Sequence, residues 1–222
     1  MSSILDCIPK ELLTDILARV ATSSLNNYFN VKLSCKMLKE VAECSNVYKC
    51  ISLDEFPVAA LHDMNKDARR FMNRCVACEN LDALYMWGMV EYFSCDNLAT
   101  ALTFLNKSAS LGHVGAYYII TIILLLSGKD YREKGVTLLG AMKISGEYRE
   151  KVKYYREKLI DFLRSAKTRN PKVLNGRPTC CTNVRHRFLE TNALALVGDV
   201  DDSVFCDACT CDRELSYIFE GI

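Results

Sequence analysis

A repeat of 33 residues is the feature that most constrains how this chain of 222 residues can fold. Residues of the same or a similar type recur at that offset, and one inserted loop residue lengthens it to 34 further on. The pairs are Phe71 and Phe104, Asn80 and His113, Ala83 and Ala116, Tyr85 and Tyr118, then Ala101 and Gly135, Leu102 and Val136, and Leu105 and Leu139. Periods of this length are typical of stacked helix-turn-helix units, so we expect an all-α fold.

The repeated segments resemble the Sel-type variant of tetratricopeptide repeats. The resemblance lies in "ALYMWGMVEYF" and "ALTFLNKSASLGHVGAYY", where small residues such as Gly88 and Ala116 let helices approach closely. Gly112 can end a helix in a left-handed conformation. The resemblance implies a repeat body over residues 65–165. Because only two repeats and half of an earlier one are visible, and about three are needed for stability, flanking helices must cap the stack.

One capping helix can be predicted directly from its apolar spacing. Its apolar residues recur at steps of four and three along one stripe: Tyr148, Val152, Tyr155, Leu159 and Phe162. The opposite face is rich in Lys and Arg, but Glu150, Glu157 and Asp161 are interspersed with them. A mixed charge pattern of this kind favours a solvated helix face over a nucleic-acid interface.

Residues 4–57 predict a small helical module ahead of the repeats. Pro9 suits the first turn of a helix, and "IPKELLTDILARV" continues with apolar residues that share one face. Then follow "NVKLSCKMLKEVA" and "NVYKCISL". This order resembles the F-box, the motif by which substrate adaptors dock onto the Skp subunit of cullin-RING ubiquitin ligases. Tyr48 stands where the motif usually has Trp.

The F-box resemblance implies a docking role for the first helix. Five residues would contact a Skp-type subunit: Ile8, Pro9, Leu12, Leu13 and Ile16. The implied function is a substrate-recruiting adaptor of a ubiquitin ligase, similar to plant F-box proteins with helical repeats. The alternative is a helical-repeat interaction scaffold with no link to a ligase, whose first helices merely cap the solenoid. Exposure of Leu12, Leu13 and Ile16 favours the adaptor, whereas their burial favours the scaffold.

Trp87 and Tyr92 are the candidate residues for binding a protein substrate. Aromatic residues at helical spacing are usually core, so we expect Tyr85 and Tyr118 to be buried. Trp87 lies two residues after Tyr85, almost on the opposite side of a helix at about 100° per residue. An exposed tryptophan is a typical interface anchor, so Trp87, with Tyr92 nearby, is predicted to capture a partner.

The last region, residues 170–222, is predicted to be an irregular tail rich in cysteine. It opens with a Pro/Gly turn cluster and holds six candidate zinc ligands: Cys180, Cys181, His186, Cys206, Cys209 and Cys211. A Cys-x-x-Cys pair such as Cys206 and Cys209 can place two thiolates on one tight turn. The spacing is imperfect, because Cys180 and Cys181 are adjacent, so thiols that bind no metal are the alternative to a structural zinc site.

Composition excludes several other classes of function. The net charge is +1, with 28 Lys and Arg against 27 Asp and Glu, so no global field attracts nucleic acid or a membrane surface. The longest apolar run, residues 117–126, is about half of the ~20 residues that a membrane-spanning helix needs. Twelve cysteines without a signal peptide predict reduced thiols and a cytoplasmic or nuclear location. Neither a phosphate-binding glycine loop nor a nucleophile elbow is present, so we predict no enzymatic activity.

Overall fold

The computed structural model describes residues 8–61, 63–144, 146–165 and 207–220, and over these residues the chain is all-α, as predicted. Its α-helices, numbered in chain order, are α1 Lys10–Ser23, α2 Leu25–Ser34, α3 Lys36–Ala42, α4 Ser45–Cys50, α5 Lys66–Ala77, α6 Leu81–Phe93, α7 Leu98–Ser110, α8 Val114–Leu126, α9 Lys129–Ile144, α10 Gly146–Ser165 and α11 Asp207–Glu220. A short 3₁₀ helix, Val58–Leu61, precedes α5. None of the described helices combines the length and the apolar character needed to cross a bilayer.

The helix boundaries reproduce the repeat seen in the sequence. Helices α6 and α8 each contain 13 residues, and both their first and their last residues differ by 33 positions. Gly112, in the turn before α8, has a φ of 98°, which is the left-handed conformation expected there. A Cβ at Gly88 would lie 2.5 Å from Leu105 Cγ, so the close approach of α6 and α7 requires a residue without a side chain.

The chain divides into two compact units. The first unit comprises residues up to 91 together with 98–113, and the second comprises 92–97 with the residues from 114 onward. Helices α1 to α5 and α7 belong to the first unit, α8 to α11 belong to the second, and α6 contributes residues to both. The division into a docking module, a repeat body and a tail stays a prediction.

In the first unit, the side chain of Asn80 joins the end of α4 to the start of α6. Its Oδ1 accepts a hydrogen bond from Ala83 N at 3.0 Å, which caps α6. Its Nδ2 donates to the carbonyl oxygens of Tyr48 at 2.9 Å and Ile51 at 2.7 Å. Asn80 is buried, so these bonds satisfy carbonyl groups that water does not reach.

Asp82 and His113 extend this arrangement within the same unit. Asp82 Oδ2 accepts a hydrogen bond from Leu53 N at 2.8 Å, and its Oδ1 lies 3.3 Å from His113 Nε2. The ring of His113 stacks on that of Tyr85, with 4.6 Å between their centroids. Asn80 and His113 are equivalent in the repeat, and each binds a residue of an earlier helix or its end: Asn80 binds the end of α4, and His113 lies against Asp82 of α6. Tyr85 is buried, as expected.

The core of the second unit is built around α8. Nearly every side of this helix is buried within the protein, which accounts for its long apolar sequence. Helix α10 packs against α8 and α9, and Val152, Leu159 and Phe162 of the predicted stripe are buried. The ring of Tyr155 lies against Gly115 of α8. The predicted capping helix is therefore confirmed, although Tyr148 at its start is exposed.

We predict that Asn80→Asp destabilises the protein, whereas Asn65→Asp does not. Asn65 is a matched control because its side chain also caps a helix, accepting from Ala68 N at 2.8 Å, but it is exposed. Aspartate keeps the cap at both positions. At position 80 it also removes the donor to two buried carbonyls, which we expect to cost about 2–4 kcal/mol of unfolding free energy. Urea unfolding followed by circular dichroism measures both changes, and equal effects of the two substitutions would contradict the role of the amide.

Candidate docking surface

Helix α1 has one buried face and one exposed apolar face. Leu13, Leu17 and Ala21, spaced four residues apart, are buried. Leu12 and Ile16, also four apart, are 53% and 46% exposed. Residues at this spacing are neighbours on a helix surface, so the two side chains form one apolar strip. We call Leu12 and Ile16 the α1 strip.

Pro9 fixes where α1 begins. It occupies the N-cap position with a φ of −54°, and its carbonyl oxygen accepts the first helical hydrogen bond, from Leu13 N at 3.1 Å. Pro9 is exposed, and Ile8 before it is half-buried. Both residues therefore have accessible surface just before the first turn of α1.

Leu13 differs from the sequence-based prediction. It was grouped with the partner-facing residues, but it is only 4% exposed, because it begins the stripe by which α1 packs on the rest of the first unit. Adjacent residues on a helix point about 100° apart, which allows Leu13 to enter the core while Leu12 stays exposed. Of the five predicted contacts, the structure places Leu13 in the core.

Helix α2 carries a second exposed pair at the same spacing. Leu33 is 81% exposed and Phe29 is 37% exposed, whereas Tyr28 on the other face is buried. Phe29 keeps edge contact with Tyr28 at 5.2 Å and lies 5.4 Å from the ring of Phe71. These two α2 residues were not among the predicted contacts. Their i, i+4 spacing in "LNNYFNVKLS" was the available signal.

The two predicted substrate-binding residues differ in their exposure. Trp87 on α6 is half-buried, whereas the sequence predicted an exposed tryptophan. Tyr92 is 1% exposed and packs edge-to-face on Phe93 at 4.8 Å between centroids. Burial raises the pKa of the Tyr92 hydroxyl to about 12. The structure therefore places Tyr92 in the core, where it cannot contact a substrate.

Only part of the predicted zinc site falls within the described residues. Cys180, Cys181, His186 and Cys206 lie outside them. Cys209 and Cys211 are in α11, a helix where an irregular tail was predicted, and both are buried. Burial raises the pKa of the Cys211 thiol to about 12. The described residues contain no group of His, Cys, Asp and Glu side chains that could hold a metal ion.

Helix α11 instead carries a buried carboxylate, Glu214, that binds three side chains of the second unit. Arg156 on α10 donates from Nε at 2.7 Å and from Nη2 at 2.8 Å. Lys143 Nζ on α9 lies 3.2 Å away, and the Tyr118 hydroxyl on α8 donates at 2.7 Å. Burial alone would raise the pKa of Glu214, but Lys143, Arg156 and Tyr118 outweigh it and hold that pKa below its usual range.

A second carboxylate of α11 is bound in the same way. Asp212 is buried and forms an ion pair with Arg132 on α9. The cluster therefore has its acids on α11 and its bases on α9 and α10. Asp212 and Glu214 were not among the predicted site residues, because this segment was expected to be an irregular tail. The spacing of Leu215 and Ile218 beside them was the available sign of a helix.

Comparison with known proteins agrees with both parts of this description. The profile of a family described as plant tetratricopeptide repeats matches residues 53–164, half of the chain. A putative F-box protein of Arabidopsis thaliana is 25% identical over 222 residues, covering 92% of this chain and 72% of that protein. A second Arabidopsis F-box protein is 31% identical over 142 residues, covering 63% of this chain and 83% of that protein. The chain belongs to the plant F-box proteins with tetratricopeptide-type repeats.

A third F-box protein of Arabidopsis is 31% identical over 124 residues. The match covers 55% of this chain and 32% of that longer protein. No solved structure matches the chain.

The repeat profile begins at Leu53, which hydrogen-bonds to Asp82, and ends within α10. It therefore contains the six helices from α5 to α10, which are the two predicted repeats, the half repeat before them and the predicted capping helix. Helix α11 lies outside it.

We predict that acid weakens the packing of α11 through Glu214. The lowered pKa of Glu214 stabilises the fold above the unfolded carboxyl pKa of about 4.3, and this contribution is lost as the pH falls through the lower folded pKa. The midpoint of thermal unfolding should therefore fall below pH 4 more steeply in the native chain than in Glu214→Gln. Glu147→Gln is the control, because the pKa of Glu147 is also lowered, by Lys151, but both side chains are exposed. Identical acid sensitivity in all three proteins would contradict this role of Glu214.

Proposed function

We propose that this chain is a substrate-recruiting adaptor of a Skp–cullin–F-box ubiquitin ligase and that it docks through α1. The α1 strip is the observation that carries the proposal. Leu12 and Ile16 stay exposed on a helix that buries another stripe of its residues, Leu13, Leu17 and Ala21, in the core. Membership of the F-box family supports the same reading.

The α1 strip has the chemistry of a protein-docking site. Full burial of a Leu or Ile side chain contributes about 1.5–3 kcal/mol, and aliphatic anchors packed in a partner's pocket are typical of helical interfaces. Lys10, Glu11, Asp15 and Arg19 flank the strip with exposed charge, which supplies a polar rim. Phe29 and Leu33 on α2 are additional candidate anchors. The partner is a Skp-type subunit.

The alternative, a repeat scaffold whose first helices only cap the solenoid, is less well supported. A capping helix would bury its large apolar residues within the chain. Leu12 and Ile16 remain about half exposed although α1 packs against α2, α3 and α4. The burial of Leu13 is compatible with either function, since every amphipathic helix needs a core face.

An adaptor accelerates ubiquitination without performing chemistry. It holds the substrate close to the conjugating enzyme, so its contribution is effective concentration and orientation. No enzymatic activity of this chain is therefore proposed.

On the substrate side, the exposed part of Trp87 remains a candidate contact. A structural zinc ion bound by residues outside the described part also remains a proposal, to which Cys209 and Cys211 give no support.

We predict that Leu12→Asp combined with Ile16→Asp lowers the affinity for a plant Skp-type subunit by at least about a hundredfold. Two anchors worth about 2 kcal/mol or more each would be lost, and a charge would enter an apolar interface. Titration calorimetry with the full chain measures the effect. Both residues are exposed, so circular dichroism should show unchanged helicity.

Ile144→Asp is the matched control for this experiment. Ile144 is 83% exposed at the end of α9 in the second unit, so the substitution changes apolar surface by a similar amount away from α1. Its affinity for the Skp-type subunit should equal that of the native chain. Unchanged binding by the double variant would rule out docking through α1 and favour the scaffold.

A further inference from the structure

The groove that holds α11 has the charge distribution of a binding interface. Glu214 and Asp212 come from α11, whereas their partners come from the repeat helices: Arg132 and Lys143 from α9, and Arg156 from α10. Tyr118 adds a donor from α8. In these contacts the acids belong to α11 and the bases to α9 and α10, so opposite charges meet across one boundary, as they do between protein partners.

The sequence adds to this contrast. Segment 207–220 contains four Asp and Glu against one Arg, and segments 129–144 and 146–165 together contain ten Lys and Arg against six Asp and Glu. The basic side chains that meet α11 are Arg132, Lys143 and Arg156, so the surface that contacts its carboxylates is cationic, although the chain as a whole is nearly neutral.

A buried ionic cluster of this kind is better suited to recognition than to stability. Desolvating Glu214 is costly, and apolar residues of similar volume often stabilise a core equally well. What the cluster supplies is selectivity: a helix without carboxylates at these two positions would lose the ion pairs to Arg132, Lys143 and Arg156. Leu215 and Ile218 of α11, both buried, add apolar contacts beside the carboxylates.

Sequence position also separates α11 from the helices that bind it. Residues 166–206 lie between α10 and α11, and the repeat profile ends at residue 164. The family's repeats are therefore complete before α11 begins. In these respects α11 resembles a ligand attached to the same chain, and attachment gives it a high effective concentration at the groove.

We propose that the groove formed by α8, α9 and α10 is a binding site for an acidic amphipathic helix of a partner protein, and that α11 is its intramolecular occupant. The recognised pattern is Asp-x-Glu-Leu followed three residues later by an aliphatic residue, as in Asp212 to Ile218. A partner helix with this pattern displaces α11. Identifying that partner as the substrate rests on the proposed adaptor function; the site itself does not.

The test uses the full chain and a fluorescein-labelled synthetic peptide with the sequence of residues 207–220. The variant Asp212→Asn/Glu214→Gln weakens the occupant without changing the groove, so it should bind the peptide at least ten times more tightly than the native chain does. A peptide carrying the same two substitutions should lose that gain. Adding Arg156→Gln to the variant chain should also lose it, because the bidentate contact is removed. Fluorescence anisotropy measures all four affinities.

Hydrogen exchange on the same variant distinguishes an occupant from a core helix. In the Asp212→Asn/Glu214→Gln chain, α11 should lose protection while α8, α9 and α10 keep theirs. Loss of protection in all four helices, or equal peptide affinity of the native and variant chains, would overturn the proposal. Binding of the variant to the Skp-type subunit is measured in parallel. It should be unchanged, so a failure of the groove and a failure of docking through α1 give different results.

Discussion

The hydrogen bonds of the buried Asn80 amide connect the N-terminal helices to the first repeat. Asn80 caps α6 and also holds the carbonyls of Tyr48 and Ile51 at the end of α4. That end of α4 in turn binds α1, since Ser52 N donates to Ala21 O at 3.0 Å and Thr22 Oγ1 donates to Cys50 O at 3.0 Å. A continuous set of hydrogen bonds therefore fixes α1 to α6. Rigid placement matters for an adaptor, because proximity accelerates a reaction only when orientation is also controlled.

Features that depend on local spacing could be predicted from the sequence. The 33-residue offset located α6 and α8, and the stripe from Val152 to Phe162 located α10. Pro9 located the start of α1. Each of these follows from helix periodicity or from the conformational limits of one residue, which do not depend on distant parts of the chain.

Features that depend on what surrounds a helix could not be predicted in this way. Exposure of Trp87 and Tyr92 was predicted on the assumption that α6 has one solvent face. Helix α6 is buried on almost all sides, so angular separation from Tyr85 did not determine exposure. Likewise, Leu12 and Leu13 are equivalent in composition, and only the packing of α1 shows which is core. The side chains that bind Glu214 lie 58 to 96 residues away in sequence, a separation that periodicity does not reach.

The central claim is that α1 presents an apolar strip to a Skp-type subunit. Hydrogen exchange of the full chain with and without that subunit tests it most directly, because it localises the contact without altering any residue. The account predicts slower exchange within α1, Lys10–Ser23, on mixing, and unchanged exchange in α6 and α7. Binding that slows exchange only in the repeat helices, or no change anywhere at saturating concentration, would contradict it.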